Sequence, residues 1–370
     1  MNELYIAKSN RILWIDMARG WAVFLVVLGH VFDMTEPNTI EYILYVIIYS
    51  FHMPLFFVLS GMNIKTEIDF RTFRITKVKR ILIPYFKYSF IYFLFEMIFK
   101  LLTSGEGLKY LVGYFKVFFS KANLINTLLF THDSYFSKFW FLVVLFVSQV
   151  VIYWLMKISK TWIYYIIFII GILVNRILYR YEVILPFYLN EVLLAVPFLY
   201  LGIILKKLFV DIQDFYLRYK TIIFLCVFNV IAYLYCIITW FKWGHGIANM
   251  YNSNIKALGL FLVMGSTMSF LTVYFINAID KLSMKKKVIC DIITNYGING
   301  DIKYRNPIAN GFIKLGRSSL KIYGIHYCYL CLWWYLMMKL NISEVLCGYP
   351  GVKLLLDLFG AVLIIGLSLL

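Results

Sequence analysis

Residues 11–30 read RILWIDMARGWAVFLVVLGH, and this stretch decides the fold. A helix of about 20 apolar residues crosses the hydrocarbon core of a bilayer, which is about 30 Å thick. The apolar run is longer than that of a secretory signal, and no cleavage site with small residues follows it. We therefore expect this segment to stay in the chain as its first membrane span.

The composition of the whole chain extends this prediction. Hydrophobic residues make up 62% of the sequence and charged residues only 15%, a mixture that excludes an ordinary soluble domain. In a bilayer, helices satisfy their own backbone hydrogen bonds, so the sequence predicts an all-α integral membrane protein with a single domain over residues 1–370. About ten spans are expected. They are placed at 13–32, 40–62, 81–103, 139–157, 161–178, 184–205, 221–241, 256–278, 318–338 and 352–370.

Basic residues are distributed unevenly among the connecting segments. The N-terminal segment and the even-numbered loops hold 22 lysines and arginines, and the odd-numbered loops hold far fewer. By the positive-inside rule, both termini are predicted to lie in the cytoplasm. The net charge of +17 is thus explained by membrane topology and contact with lipid, and no nucleic-acid partner is expected.

Two predicted loops are long enough to contain structure of their own, the third at about 104–138 and the eighth at about 279–317. Asn299-Gly300 in the eighth loop favours a small hairpin, and its lysines suit either a flap over a phosphorylated cofactor or an insertion. In the third loop, His132 and Asp133 are candidates for lining a path for sugars, or for ordinary anchors at the membrane interface.

Three ionisable residues fall on one face of the first predicted helix. Helical geometry puts Asp16, Arg19 and His30 within about 60° of one another, with Arg19 and His30 about 16 Å apart along the axis. Charged groups inside a membrane are costly and usually mark a functional site. The structural alternative is an Asp16–Arg19 pair near the interface, with His30 as a satisfied polar residue near the helix end.

The second span and the segment after it add further polar chemistry. His52 lies two residues before Pro54, which frees a backbone carbonyl, and this combination suits the wall of a cavity. Lys77, Lys79 and Arg80 then form a basic cluster on the predicted cytoplasmic side. Such a cluster can bind the phosphates of a cofactor or anionic lipid headgroups.

Taken together, these motifs resemble the acyltransferase 3 family of membrane-bound O-acyltransferases, in particular its stand-alone branch similar to fucose 4-O-acetylases. The resemblance runs in order over nearly the whole chain. It is carried by Asp16-x-x-Arg19-Gly, Gly29-His30, Phe51-His52-Met-Pro-Leu-Phe-Phe-Val-Leu-Ser-Gly61, Arg80-x-x-x-Pro84, Phe139-Trp140-Phe-Leu142 and Gly316-Arg-Ser-Ser-Leu-Lys-Ile-Tyr323-Gly-Ile-His326.

The resemblance implies a ten-helix bundle, acetyl-CoA as the cytoplasmic acyl donor and a saccharide hydroxyl as the acceptor. No metal is expected, and a composition rich in Ile, Phe, Tyr and Lys with little Ala favours a bacterial plasma membrane. A histidine with an ordinary pKa near 6.5 can take the proton of that hydroxyl, and whether the acetyl group first rests on a histidine nitrogen stays open. The implied catalytic residues are His30, Arg19, Asp16 and His52; those for the cofactor are Arg80, Lys79 and Lys77; those for the substrate are Trp140 and His326.

Two other classes of membrane protein also fit ten helices with intramembrane charges. A transporter or flippase for lipid-linked sugars would be expected to show repeat symmetry or paired broken helices, which the sequence lacks. A polysaccharide polymerase would be expected to place paired arginines on the outer side, where the third loop has only lysines. Cys328 and Cys331 lie within one predicted helix, which favours packing over a redox role.

The predicted topology is tested with single cysteines introduced into a variant whose six native cysteines are replaced by serine. A membrane-impermeant maleimide added outside intact cells is expected to label Ser104→Cys in the third loop but not Ser159→Cys in the fourth, because the two loops lie on opposite sides. Labelling of Ser159→Cys alone would reverse the topology.

Overall fold

The structure is a computed structural model that describes residues 12–34, 39–103, 107–131, 133–158, 161–183, 185–211, 219–243, 255–293, 307–346 and 349–370. These ranges contain α-helices joined by short turns, and no strand. The helices are α1 Leu13–Met34, α2 Thr39–Gly61, α3 Phe70–Lys77, α4 Ile83–Thr103, α5 Gly107–Phe118, α6 Lys121–Leu128, α7 Trp140–Leu155, α8 Thr161–Arg180, α9 Leu189–Lys206, α10 Tyr219–Trp243, α11 Ile255–Ile293, α12 Pro307–Arg317, α13 Ser319–Lys339, α14 Ile342–Val345 and α15 Pro350–Leu369.

The described helices confirm a multi-pass membrane protein. Nine of the segments in these ranges are long and apolar enough to cross a bilayer. The span expected at 318–338 is present as α13, but its tyrosines, tryptophans and histidine lower its hydropathy and it does not count among the nine. Helix α13 packs against α1, α4 and α15, so its polar side chains are sheltered by protein.

The loops predicted to hold structure contain helices. The third loop forms α5 and α6, and most of the eighth is helical, because α11 continues to Ile293 and α12 begins at Pro307. The expectation that the segment at 279–317 contains structure of its own is therefore met at both of its ends, where the chain stays helical beyond the apolar run. The predicted hairpin at Asn299-Gly300, the lysines 285–287 of the eighth loop that were considered for a cofactor flap, and His132 of the third loop lie outside the residues described in side-chain detail.

Helix α1 is the centre of the bundle, and burial separates it from the periphery. Within the spanning windows, 78% of the α1 residues are buried, against 17% for α8 and 22% for α10. Helices α8 and α10 accordingly expose isoleucines, leucines and aromatic residues, as lipid-facing helices do. The polar side chains of α1 therefore face other helices.

Glycines allow two pairs of helices to touch backbone to backbone. A Cβ atom on Gly20 of α1 would overlap the carbonyl oxygen of Phe312 in α12, and one on Gly316 would overlap the carbonyl oxygen of Asp16. Gly61 of α2 and Gly202 of α9 meet in the same way. Small residues at such crossings let membrane helices approach closely, so van der Waals contact can hold them together.

A continuous helix with one irregular turn joins the basic cluster to the third span. Asp69 caps the start of α3, because its Oδ2 accepts a hydrogen bond of 2.8 Å from the backbone N–H of Thr72. A π-turn over Val78–Leu82 then leads into α4 just before Pro84. Arg80 lies in that turn, where a bulge redirects side chains toward a site.

A buried ion triad anchors the last helix. The Nζ atom of Lys353 lies 2.7 Å from Oε2 of Glu41 and 3.6 Å from Oδ2 of Asp357, and all three side chains are at most 4% exposed. The triad ties α15 to the start of α2. The sequence analysis did not single out these residues, because they stand close to the predicted ends of their spans.

Replacing Gly316 by alanine is expected to lower the thermal stability of the detergent-solubilised protein, because the methyl group would force α12 away from α1. Overpacking of this kind costs about 1–3 kcal/mol. Gly311→Ala is the matched control on the same helix, since nothing lies within 4 Å of its added methyl group. Equal melting temperatures for the two variants would contradict the close crossing.

Candidate active site

A buried carboxylate joins α1 to α12. Asp16 is 1% exposed, and its Oδ1 lies 3.3 Å from Nη1 of Arg19 while its Oδ2 lies 3.6 Å from Nε of Arg317. An ionised carboxylate only accepts hydrogen bonds, so two guanidinium groups are suitable partners for it. The pairing of Asp16 with Arg19 is the contact that the sequence analysis gave as its structural alternative, whereas Arg317 was not named as a partner of Asp16.

Arg19 and Arg80 line one cavity of about 180 Å³. Its other polar wall residues are Ser60, Ser319 and Tyr323, and its apolar wall is formed by Val26, Met53, Phe56, Ile81, Phe141, Leu142, Leu145 and Leu320. Arg80 is exposed at this cavity, and Arg19 is partly exposed. Two positive charges thus stand at the edge of a mostly apolar space.

The rest of the basic cluster lies beside this cavity. The Lys77 ammonium is close enough to Arg80 and Arg19 to be repelled by both, and it also lies 5.2 Å from the centre of the Phe73 ring. Lys79 is exposed. Lys77, Arg80 and Arg19 therefore form a patch of positive charge at the cavity, which attracts anionic groups, and Lys79 adds an exposed charge one residue before Arg80.

The structure brings together three histidines that are far apart in sequence. The rings of His30 and His326 are stacked with their centres 5.5 Å apart, and Tyr49 lies between His30 and His52. Both ring nitrogens of His30 contact tyrosine hydroxyls, Nδ1 at 3.3 Å from Tyr49 and Nε2 at 3.1 Å from Tyr327. The sequence analysis named the histidines but not these tyrosines.

Backbone carbonyls determine where His52 and His326 carry their protons. Nδ1 of His52 lies 2.7 Å from the carbonyl oxygen of Ile48, and Nδ1 of His326 lies 2.7 Å from that of Tyr323. A carbonyl only accepts, so each Nδ1 must donate, and each neutral ring then keeps a lone pair on Nε2. Among the described residues, the buried Nε2 of His326 has no hydrogen-bond partner.

Tyr323 connects the arginine cavity to the histidine cluster. It lines the cavity, its ring centre lies 5.7 Å from that of His326, and His326 in turn stacks on His30. Arg19 and His30 lie on the same helix, about 16 Å apart along its axis. The anion-attracting cavity and the histidines are therefore joined by a chain of side-chain contacts through Tyr323, called the polar path below.

Trp140 occupies a position next to this path. It begins α7, and its ring centre lies 6.4 Å from that of Tyr188. Of the described residues around the arginine cavity, its neighbours Phe141 and Leu142 line the wall and Trp140 does not. Lys138, three residues before Phe141, lies at the histidine cluster, with its ammonium 5.8 Å from the centre of the Tyr327 ring.

A larger cavity of about 350 Å³ lies between α1, α11 and α12, away from this chemistry. Thr272 is the one residue with a polar side chain among the described residues that line it, and the rest are apolar side chains including Trp21, Phe275 and Phe312. Cys328 and Cys331 are free thiols on α13. Neither feature offers groups for acid–base chemistry comparable to the histidine cluster.

Comparison with known proteins agrees with this arrangement. A family model described as an acyltransferase domain matches residues 12–370, which includes every residue of the two clusters. No curated protein and no solved structure matches the chain.

Proposed function

Because the chain belongs to the acyltransferase 3 family and is a membrane acyltransferase, we propose that it moves an acetyl group from cytoplasmic acetyl-CoA to a hydroxyl of a cell-surface saccharide or its lipid-linked precursor. The observation that carries this proposal is the path from the cavity of Arg19 and Arg80 through Tyr323 to the stacked pair His326 and His30. A donor bound at the arginines can then bring its acyl group toward an acceptor bound at the histidines.

The arginine cavity has the chemistry that the donor requires. CoA carries several phosphate charges and ends in an acyl thioester. A guanidinium such as that of Arg80 forms bidentate hydrogen bonds to phosphate, whereas Lys77 and Lys79 add charge with less directional preference. The apolar wall beyond the arginines suits the uncharged thioester end of the molecule.

His30 is the proposed general base. A saccharide hydroxyl is a weak nucleophile, and removal of its proton as it attacks the thioester carbon speeds the reaction by about 10²–10⁴-fold. The new C–O bond forms as the C–S bond breaks, and the proton taken by His30 passes to the departing thiolate. The guanidinium of Arg19, held by Asp16 and about 16 Å along α1 from His30, is proposed to attract the anionic groups of the donor at the cavity.

The other two histidines are proposed to handle the substrates. With its proton on Nδ1, His326 offers a buried Nε2 lone pair that can accept a hydrogen bond from the acceptor hydroxyl. His52 has the same proton arrangement and lies against Tyr49, so it can share proton transfer with His30. Trp140 remains a candidate for stacking on the saccharide from the edge of the site.

His30→Ala is expected to abolish transfer of radiolabelled acetyl from acetyl-CoA to membrane glycans, because it removes the proposed general base from its place between Tyr49 and Tyr327. His30→Gln is the second variant, since it keeps a polar side chain of similar length without imidazole basicity, and it should also be inactive. Unchanged elution of both variants in size-exclusion chromatography controls for folding. Activity within tenfold of the wild type in His30→Gln would remove His30 from the role of base.

Arg80→Ala is expected to raise the KM for acetyl-CoA by about 10-fold or more while leaving the acceptor dependence unchanged, since a charged hydrogen bond contributes about 1.5–3 kcal/mol. Arg74→Ala is the matched control. Arg74 is also exposed and basic, lies on the same continuous helix, and is not among the described residues of the cavity wall. An equal rise in KM for both variants would mean that general positive charge binds the donor, with no special role for Arg80.

A further inference from the structure

The cavity that contains Arg19 and Arg80 has an open end and a closed end. Solvent reaches the arginines, since Arg80 is exposed and the side chain of Arg19 is 24% exposed. Elsewhere on the wall, Val26, Met53 and Phe141 are at most 9% exposed. Because one space touches both groups, it opens at the arginines and ends at these three apolar side chains, which we call the closed end.

Helical spacing places the closed end on the histidine side of the cavity. Val26 lies between Arg19 and His30 on α1, and Met53 directly follows His52 on α2. At 1.5 Å per residue, Val26 is about 10 Å from Arg19 along the helix axis and about 6 Å from His30. A group that enters past the arginines and reaches the closed end is therefore brought toward the histidine cluster.

The closed end suits a group that forms no hydrogen bonds. The wall serine on α2, Ser60, lies about 10 Å from Met53 along the helix axis, and Ser319 is the first residue of α13. Tyr323 is the remaining polar residue among the described residues of the wall, apart from the arginines. Saccharide hydroxyls placed at the closed end would lose hydrogen bonds to water, whereas the carbon chain of an acyl group has none to lose.

The volume of the cavity limits the length of such a chain. An apolar cavity of about 150 Å³ in another protein takes up benzene. On that scale, the cavity of about 180 Å³ has room for about seven carbon-sized atoms. A thioester group and the methylene after its sulfur occupy about four of these places, which leaves about three carbons beyond the carbonyl. The rest of a CoA molecule must then stay beyond the arginines.

We propose that the closed end, formed by Val26, Met53 and Phe141, receives the acyl group of the donor and limits it to a length of about four carbons. The donors are then short-chain acyl thioesters, from acetyl to butyryl, and longer chains are excluded. This inference rests on the proposed function. It adds a length limit and three specificity-determining residues to the same site.

Steady-state kinetics with acetyl-, butyryl- and hexanoyl-CoA tests the length limit. In the wild type, kcat/KM is expected to fall at least about 10-fold from acetyl- to hexanoyl-CoA, because each methylene that does not fit an apolar pocket costs about that much. Met53→Ala enlarges the closed end and should raise the hexanoyl-to-acetyl ratio of kcat/KM by about 10-fold or more. Val26→Leu fills it and should lower the butyryl-to-acetyl ratio by about 10-fold.

Met337→Ala is the matched control for Met53→Ala. Met337 is also a buried methionine, lies on α13, and is not among the described residues that line the cavity. Its ratios should match those of the wild type. Each ratio compares two donors on one preparation, so partial unfolding of a variant cancels. Unchanged ratios in both Met53→Ala and Val26→Leu, or a wild type that uses hexanoyl-CoA within tenfold of acetyl-CoA, would overturn the length limit.

Thioethers of CoA separate this proposal from the proposed function, because S-ethyl-CoA and S-hexyl-CoA lack the carbonyl group and cannot transfer it. Isothermal titration should show tighter binding of S-ethyl-CoA to the wild type, and a smaller difference in Met53→Ala. If that result comes with no acyl transfer, the proposed function fails and the length limit stands. If the wild type transfers acetyl but both proteins bind the two thioethers equally, the length limit fails and the proposed function stands. Failure of the wild type to bind either thioether or to transfer an acyl group would overturn both.

Discussion

Asp16, Arg19 and His30 share one helix that must cross a bilayer, and the need to shelter them organises the bundle. Each charged side chain placed at the centre of a lone membrane helix costs about 2.5–3.5 kcal/mol. The structure avoids that cost by burying α1 among other helices and bringing Arg317 to Asp16 and Tyr49 and Tyr327 to His30. The close crossing at Gly20 and Gly316 makes the first of these contacts possible, since it brings α12 within reach of Asp16.

This arrangement also separates two chemical environments along α1. One end of the polar path is cationic and includes Arg80, which suits the anionic donor that we propose. The other end is a cluster of histidines and tyrosines, as proton transfer to and from a hydroxyl requires. The reaction that we propose has to bring a water-soluble donor and an acceptor to one point without opening the bilayer, and contacts that join two ends of a helix bundle suit that requirement.

The sequence was sufficient for the fold class and for much of the candidate site, because both depend on local patterns. Apolar run lengths located the spans, and helical periodicity put Asp16, Arg19 and His30 on one face. The contacts that join distant helices could not be predicted in this way. The packing of α12, α2 and α13 on α1 is what brings Arg317, Tyr49 and Tyr327 to their partners. In the sequence, the members of the buried ion triad look like ordinary charged residues near helix ends: Glu41, Lys353 and Asp357. In helix α13, the tyrosines, tryptophans and histidine lower the mean hydropathy, which is the property by which membrane spans are recognised in a sequence.

Sealed membrane vesicles of the two opposite orientations test the central claim, that the cavity of Arg19 and Arg80 receives the donor on the cytoplasmic side and passes its acyl group to the histidine cluster. Radiolabelled acetyl-CoA, which does not cross the membrane, is supplied only outside the vesicles. The account predicts labelled saccharide in inside-out vesicles, where the arginine cavity faces the added donor, and none in right-side-out vesicles until they are permeabilised. Labelling confined to intact right-side-out vesicles would contradict it, because the donor would then enter from the end of the bundle opposite the arginines.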